Sequence, residues 1–242
     1  MADGGTVALK FILPCDEQAV PHDMRFLSAL CRLSHPNLMP VYWARRYWNY
    51  IVVATDVAQG SVLDLHRTYL SEFHQPIPAW RVRAFLAQAA EGLDFLNLRW
   101  HLFNGVWTTL RHGNIKPSNL LVVRGTVKLA DLLLSSQSSF ELPPHLQPES
   151  SSYSAPEVVR EWENDDSDQY ALAVTYCQLC GDRLPFSETP PLPDADLVRP
   201  QLDLTMLPEV ERPIVARALA PAREDRWPSC GELMAQLSRV AA

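Results

Sequence analysis

The sequence lacks the features that mark membrane-spanning and secreted proteins. No apolar run approaches the roughly 20 residues that a membrane-spanning helix needs, and the first residues, MADGGTV, contain no signal-peptide core. The five cysteines show no disulfide-like spacing, and the C-x-x-C pair Cys177 and Cys180 has no second pair of zinc ligands. That pair is more typical of small apolar residues one turn apart on a buried helix. These absences predict a cytoplasmic protein with no membrane segment.

The sequence also has little positive charge. It contains 21 Lys and Arg residues against 28 Asp and Glu, which gives a formal net charge of −7 at pH 7. Because nucleic acids and anionic membrane surfaces attract basic proteins, neither is the expected partner. Hydrophobic residues make up 47% of the 242 residues, which is enough to bury a full core.

Hydrophobic periodicity predicts a strand-rich first part followed by a helical part. The predicted strands are residues 6–13, 38–43, 50–57, 120–123 and 127–130. The predicted helices are residues 21–33, 80–98, 168–180, 209–220 and 230–240. The two parts meet near residue 58. This order predicts an α+β protein with a small strand-rich lobe and a larger helical lobe.

Four short strings occur in order along the chain. They are VALK (7–10), HGNIKPSN (112–119), ADLL (130–133) and APE (155–157). In this order they resemble the strand lysine, catalytic loop, metal-binding DFG and APE motifs of protein kinases, and the surrounding sequence looks most like bacterial Ser/Thr kinases. The resemblance implies one bilobal kinase-like domain over residues 1–242. Residues 1–57 would form a truncated N-terminal β lobe, and residues 58–242 a mainly helical C lobe.

The resemblance implies a site for ATP and Mg²⁺. Lys10 corresponds to the strand lysine that reaches the α- and β-phosphates, and Lys116 to the catalytic-loop lysine near the γ-phosphate. Asn119 and Asp131 correspond to the two magnesium-holding positions, which need hard oxygen ligands. Taken singly, these residues have ordinary alternatives: a solvated lysine, a loop-stabilising amide and an aspartate in a turn.

By the same resemblance, five further residues would form the cleft for adenine. Ala8 and Leu121 would line it above and below, and Thr55 would occupy the gatekeeper position. Asp56 and Ala58 would offer backbone groups of the hinge to the adenine ring. Ordinary packing at a lobe interface is the alternative for all five.

Several residues that phosphoryl transfer needs are replaced. Asn114 stands where the catalytic loop of an active kinase has the aspartate that accepts the substrate hydroxyl proton, and loss of a general base typically costs about 10²–10⁴ in rate. Phe26 occupies the helix position that normally carries the glutamate partner of Lys10. Asp23, one helical turn away, is a weaker substitute. Leu133 replaces the DFG glycine, which reaches backbone angles that a branched side chain does not.

The sequence also has no glycine-rich phosphate loop. No G-x-G-x-x-G string occurs, and nine residues precede Lys10 where the family has two strands and that loop. Residues 7–13 would then form an exposed apolar edge strand, which natural proteins usually avoid. Two explanations are open: a start upstream of Met1, which we favour, or strands supplied by another chain.

Two functions follow as alternatives. The first is a pseudokinase that binds ATP and Mg²⁺ weakly and has a signalling or scaffolding role. The second is an active ATP-dependent Ser/Thr protein kinase whose N-terminus is truncated in this chain. Because kinase catalysis is mostly positioning, one Asp-to-Asn change leaves both open, and the four coincident losses favour the first. The expected partner in either case is another protein, and the sequence sets no oligomeric state.

Overall fold

A three-stranded antiparallel sheet and one helix begin the fold. The structure, a computed structural model, describes residues 5–14, 20–103, 106–132, 152–155, 167–186 and 201–240. The first elements are β1 (Ala8–Ile12), α1 (Val20–Leu30), β2 (Val41–Tyr47) and β3 (Tyr50–Thr55). The sheet order is β1-β3-β2. The central strand β3 is an apolar, β-branched run that is buried over most of its length, as expected for a strand covered on both faces.

The remaining elements form two smaller sheets and the helical part. In chain order they are β4 (Gly60–Ser61), α2 (Val62–Phe73), α3 (Ala79–Asn97), β5 (His101–Phe103), β6 (Val106–Thr108), β7 (Leu120–Val123), β8 (Thr126–Leu129), α4 (Ser167–Gly181), α5 (Arg212–Ala218) and α6 (Cys230–Val240). The strands β4, β7 and β8 form one sheet in that order, and β5 pairs with β6. The arrangement is an α+β bilobal fold.

Helix α4 lies in the centre of the helical part. It is almost completely buried on all sides, including its polar residues Asp168, Gln169 and Thr175, and such burial all round is the pattern of a core helix. Cys177 is fully buried on this helix and Cys180 is partly buried. Burial raises the pKa of both thiols, so both stay protonated at neutral pH and act as small apolar residues.

The predicted strands and helices are confirmed, with some bounds shorter and one shifted: the strand predicted over 38–43 is β2, Val41–Tyr47. The helix predicted over 21–33 ends at Leu30 because the next turn is tighter: the amide of Leu33 bonds the carbonyl of Leu30, three residues back. The β7–β8 turn is formed by Arg124 and Gly125, with φ of +52° and +81°, which is the backbone of a tight two-residue hairpin.

Four elements were not predicted: helix α2 and strands β4, β5 and β6. Helix α2 begins with a capping box, in which Ser61 Oγ accepts from the Asp64 amide at 3.1 Å and Asp64 Oδ2 accepts from the Ser61 amide at 2.8 Å. The short strand β4 precedes it. Strands β5 and β6 form a hairpin, and at three residues each they are too short to give a periodic signal.

Strand β1 lies at the edge of its sheet, paired only with β3 among the described strands. Its outward side chains are apolar and exposed: Leu9 by 48%, Phe11 by 58% and Leu13, just beyond the strand, by 60%. The prediction of an exposed apolar edge strand is confirmed. In the part of the chain that the structure describes, no helix combines the length and the apolar character that crossing a membrane requires.

Gly92 marks the closest approach of α3 to β8, and its replacement tests this packing. A β-carbon at Gly92 would lie 2.9 Å from Leu129 Cδ1 and 3.0 Å from the Asn37 carbonyl oxygen. In an open helix Gly→Ala stabilises by about 1 kcal/mol. Here we expect Gly92→Ala to lower the free energy of unfolding by about 1–3 kcal/mol because of overpacking.

Urea unfolding measures this change. The exposed neighbour on the same helix, Glu91, serves as the control, and Glu91→Ala should stay within about 0.5 kcal/mol of the unmodified chain. A Gly92→Ala chain more stable than the unmodified one would contradict the close approach of α3 to β8.

Candidate nucleotide and catalytic site

An ion pair links β1 to the segment that follows β8. Lys10 lies in β1 opposite Val53 of β3, and its Nζ donates to Oδ1 of Asp131. The two side chains are 42% and 32% exposed. A pair this exposed contributes at most about 1 kcal/mol to stability. The main consequence of the ion pair is the position of its members: Lys10, predicted to contact phosphate, and Asp131, predicted to hold magnesium, lie together in one cleft.

The backbone of Asp131 has a left-handed conformation with φ of +66°. Asp is one of the few non-glycine residues enriched in this conformation. The carboxylate of Asp131 thereby faces Lys10 across the cleft. Leu133, the predicted replacement of the DFG glycine, lies outside the described residues.

A buried carboxylate on α4 holds the catalytic loop. Asp168 is 1% exposed, and its two oxygens accept hydrogen bonds from the amides of His112 and Gly113, both at 2.8 Å. Gly113 has φ of +69°, a conformation that glycine adopts without steric cost. In the string SDQYALAV (167–174), Asp168 matches the aspartate that supports the catalytic-loop backbone in the kinases this chain resembles, and these two bonds confirm that role.

Asn114 and Asn119 are joined within this loop. Asn114 is 8% exposed, and its carbonyl accepts from Asn119 Nδ2 at 2.7 Å. The amide of Ala130 donates to the carbonyl of Asn119 at 2.9 Å. This bond brings the loop next to Asp131, so the two predicted magnesium positions are neighbours. Because the side-chain nitrogen of Asn119 donates to the Asn114 carbonyl, the atom that would bind a metal ion is Asn119 Oδ1.

His112 is a structural residue of the loop. It is fully buried, and burial lowers its pKa, against the negative charges of Asp168 and Asp131 and the backbone of Ala130, which raise it. The ring is therefore neutral at pH 7. Its Nδ1 accepts from the amide of Asn114 at 3.3 Å, which assigns the ring proton to Nε2.

The oxygen donors fit magnesium bound together with a nucleotide. Among the described residues, no three His, Cys, Asp or Glu side chains group closely enough to form a metal site by themselves. Asn119 and Asp131 supply one amide oxygen and one carboxylate. Mg²⁺ commonly binds through one or two such groups, several waters and substrate phosphates, so this donor set suits it.

A cavity of about 150 Å³ lies beside the ion pair. Lys10, Thr55, Leu121 and Asp131 line it, and the rest of the lining is apolar. These other residues are Leu30, Leu33, Leu38, Met39, Val41, Val53, Leu129, Ala130 and Leu132. Because protein interiors contain few voids larger than a water molecule, this space is more than a packing defect. Thr55 and Leu121 are thus in one cavity with the two charged residues.

The other predicted cleft residues do not line this cavity. Ala8 lies opposite Thr55 across β1 and β3. Asp56 and Ala58 belong to the segment between β3 and β4, which is tied to β7 by a bond from the Gln59 amide to a β7 carbonyl at 2.9 Å. The carboxylate of Asp56 accepts from the hydroxyl of a tyrosine on β2. The contact of Ala8, Asp56 and Ala58 with adenine stays a prediction.

Helix α1 gives Lys10 no acidic partner in the part of the chain described here. Phe26 is 3% exposed and belongs to the hydrophobic core. Asp23, one turn earlier, is 1% exposed. Among the described residues the ion pair of Lys10 is with Asp131, and none joins it to Asp23. The structure therefore does not place Asp23 as a substitute for the missing glutamate.

The described contacts of two further residues do not test their predicted roles. Lys116 is half-buried in the catalytic loop, and its carbonyl accepts from the Asn119 amide at 2.9 Å; its contact with phosphate stays a prediction. By the kinase resemblance, Arg226 in the string EDRWPS matches the arginine that pairs with the APE glutamate, here Glu157, and Glu157 lies outside the described residues. The Nε atom of Arg226 donates to the carbonyl of Ala220 at 3.0 Å.

Asn37 is a positioning residue that the sequence patterns did not single out. Its Nδ2 donates to the Val127 carbonyl at 3.0 Å, and its carbonyl accepts from the Leu129 amide at 2.8 Å. The segment after α1 is thereby fixed to β8, the strand that leads to Asp131. The His-Pro-Asn string at 35–37 is the signal that could have found it.

Replacing Asp168 tests whether the loop depends on this carboxylate. Asp168→Ala removes the acceptor of the buried His112 amide and of the more exposed Gly113 amide. Because a hydrogen bond to a charged group contributes about 1.5–3 kcal/mol, we expect the free energy of unfolding to fall by about 3 kcal/mol or more. Asp168→Asn keeps one acceptor oxygen, so its free energy of unfolding should lie between those of Asp168→Ala and the unmodified chain.

Urea unfolding gives the ranking, with the exposed carboxylate Glu72 on α2 as the control. Glu72→Ala should stay within about 0.5 kcal/mol of the unmodified chain. An Asp168→Ala chain as stable as Glu72→Ala would contradict the role of this residue.

Comparisons with known proteins agree with this geometry. The protein kinase domain family matches residues 1–232. Serine/threonine-protein kinase PknI of Mycobacterium tuberculosis is 27% identical over 248 residues, covering 98% of this chain and 38% of PknI. The kinase Wnk of Drosophila melanogaster is 27% identical over 221 residues, covering 85% of this chain and 8% of Wnk. The chain thus spans well under half the length of these relatives.

Solved structures agree as well. A crystal structure of the M. tuberculosis PknI kinase domain has a TM-score of 0.73 and 26% sequence identity, covering 99% of this chain and 87% of that chain. The family match, the bilobal fold and the loop held by Asp168 lead to one conclusion. The chain belongs to the protein kinase family, as a Ser/Thr kinase-like domain of bacterial type.

Proposed function

We propose that this chain is a pseudokinase that binds ATP and Mg²⁺ weakly and acts through contact with another protein. The observation that carries the proposal is the residue at the proton-accepting position. Asn114 lies in a loop whose backbone is fully held, by Asp168 on one side and by Asn119 on the other. The loop therefore keeps its supports while presenting a neutral amide, which takes up no proton.

The residues around the ion pair support residual nucleotide binding. Asp131 would hold the metal through its carboxylate and Asn119 through Oδ1, while Lys10 would contact phosphate oxygens. When bound with ATP, magnesium neutralises charge on the phosphates. The Lys10–Asp131 pair must open for this exchange. Because so exposed a pair contributes at most about 1 kcal/mol, opening it lowers the affinity by about fivefold or less.

The residues of helix α1 are a further argument for weak nucleotide binding and slow phosphoryl transfer. An active kinase fixes its strand lysine with a glutamate from this helix. Here Phe26 is part of the core, and Lys10 pairs with Asp131 instead. The lysine therefore lacks the partner that would hold it toward the phosphates while Asp131 binds metal.

The charge of the chain supports a protein partner. With a net charge of −7, it is not suited to bind nucleic acid by its overall field. We propose a cytoplasmic location, and one domain with a partial N lobe over residues 1–57 and a C lobe over residues 58–242.

A second function, active Ser/Thr phosphotransfer, is favoured by one observation. The charged groups that contact phosphate and metal in the family are retained, and two of them, Lys10 and Asp131, are in contact. Phosphoryl transfer depends mainly on positioning and charge neutralisation. On this alternative, Asn114 would orient the substrate hydroxyl by a hydrogen bond without removing its proton.

A labelled-phosphate assay separates the two functions. With γ-labelled ATP and Mg²⁺, we expect the unmodified chain to incorporate no more label than Lys10→Ala, into itself or a generic protein substrate. Asn114→Asp restores a base at that position. Because such a base is worth about 10²–10⁴ in rate, we expect at least a tenfold gain over the unmodified chain.

The controls make each outcome informative. Asp131→Asn in the Asn114→Asp background should abolish the gain. Label incorporated by the unmodified chain and lost in Lys10→Ala would overturn the pseudokinase and support the active kinase. If Asn114→Asp gains nothing, the remaining losses, and not Asn114, limit the reaction.

A further inference from the structure

The β5–β6 hairpin, between α3 and the catalytic loop, has one exposed apolar face. Leu102 of β5 lies opposite Trp107 of β6. Successive side chains of a strand point to opposite faces, so Trp100 lies on the same side as Leu102. Trp100, Leu102 and Trp107 are 66%, 53% and 62% exposed. These three residues are called the hairpin face below.

The opposite side of the hairpin is packed against the protein at His101, whereas Val106, paired with Phe103 at the other end of the ribbon, is 64% exposed. His101 is 7% exposed, and its Nε2 lies 3.0 Å from the carbonyl oxygen of Phe95 on α3. The Phe95 ring meets His101 edge-on with centroids 5.0 Å apart, and stacks on His35 at 4.8 Å. These contacts fix the hairpin to α3 and to the segment that follows α1, so the hairpin face is held outward by packing.

The area of the hairpin face is comparable with that of the largest apolar patch on a typical monomer, which is about 300–600 Å² and often functional. A large aromatic side chain offers roughly 150–250 Å², so the two indoles together expose roughly 200–300 Å². Leu102 adds to this area. Contiguous apolar patches of a few hundred Å² often mark a binding surface, and Trp is enriched among the residues that dominate the energy of protein interfaces.

The sequence around the hairpin face is basic within an acidic chain. No Asp or Glu occurs between Asp94 and Asp131. Arg99 directly precedes Trp100 and is exposed. Its guanidinium lies 5.8 Å from the centroid of the Phe95 ring, which is the ring that anchors the hairpin. A cation therefore stands at the border of the apolar area.

The neighbouring elements add further positive charge. Strand β5 lies against helix α1, which exposes Arg25 and is followed by the exposed Arg32. Burial lowers the pKa of His35, the ring that stacks on Phe95; the charge of Glu91 opposes this effect, and the charges of Arg99 and Lys128 add to it. His35 therefore lies near one carboxylate and two cations.

We propose that the hairpin face docks a segment of another protein in which apolar side chains alternate with Asp and Glu. The apolar residues of the partner would cover the two indoles, and its carboxylates would meet Arg99 and the cations of α1. Such complementarity of charge sets specificity and the rate of association. The proposal does not depend on whether the chain transfers phosphate.

Two other occupants fit less well. A second copy of the chain would place the same cations opposite each other, because a two-fold contact joins a surface to itself. A membrane is disfavoured by the net charge of −7 over the whole chain, because anionic headgroups repel an acidic protein.

Peptide selection tests the proposal. A phage-displayed library of random 12-residue peptides is selected on the full chain, and the most enriched peptide is synthesised. We expect it to combine Trp, Phe or Leu with Asp or Glu. Its affinity should fall at least tenfold on Trp100→Ser/Trp107→Ser and at least threefold on Arg99→Gln. Trp80→Ser is the matched control, because Trp80 on α3 is 67% exposed, and it should leave the affinity unchanged.

Hydrogen exchange on the unmodified chain requires no variant, and it decides the result if the double variant does not fold. The bound peptide should slow exchange of the amides at residues 98–108. The proposal is overturned if no enriched peptide protects these amides, or if the enriched peptides are basic or without charge. It is also overturned if phosphatidylserine vesicles bind the chain, or the chain dimerises, in a way that Trp100→Ser/Trp107→Ser abolishes.

Discussion

The buried carboxylate of Asp168 holds the catalytic loop on helix α4, and the geometry of the site depends on it. Its two hydrogen bonds fix the amides of His112 and Gly113. The loop then continues to Asn119, whose side chain bonds back to Asn114 and whose carbonyl accepts from the residue before Asp131. Because α4 is almost fully buried, this support is as rigid as the core, and it is retained although the loop carries no base.

The contact between Lys10 and Asp131 depends on a second set of constraints. Asn37 ties the segment after α1 to β8, and β8 leads to Asp131. The chain therefore keeps the supports on both sides of the cleft. What differs from an active kinase is the chemistry of single positions, above all Asn114 and Phe26. A fold that keeps its supports and carries an amide at the proton-accepting position is what the proposed pseudokinase function requires.

The sequence predicted the residues that support the backbone of the site better than the contacts between its charged side chains. Asp168 was identified by its place in the kinase pattern, β7 and β8 by their apolar runs, and the same kinase pattern implied that Asn119 and Asp131 lie together. The sequence did not predict the pairing of Lys10 with Asp131, because it does not show whether the lysine contacts Asp131 or Asp23. The β5–β6 hairpin was not predicted because its strands are only three residues long, and alternation of apolar and polar residues is not recognisable over so short a length.

Calorimetric titration of ATP, with and without Mg²⁺, tests most directly whether the cleft holds nucleotide through the retained residues. The account predicts weak binding that Mg²⁺ strengthens, with ATP recovered intact. In Asp131→Asn the effect of Mg²⁺ should disappear, while binding without Mg²⁺ should not weaken because Lys10 is released. Binding that ignores both Mg²⁺ and this substitution, or no binding at all, would contradict the account.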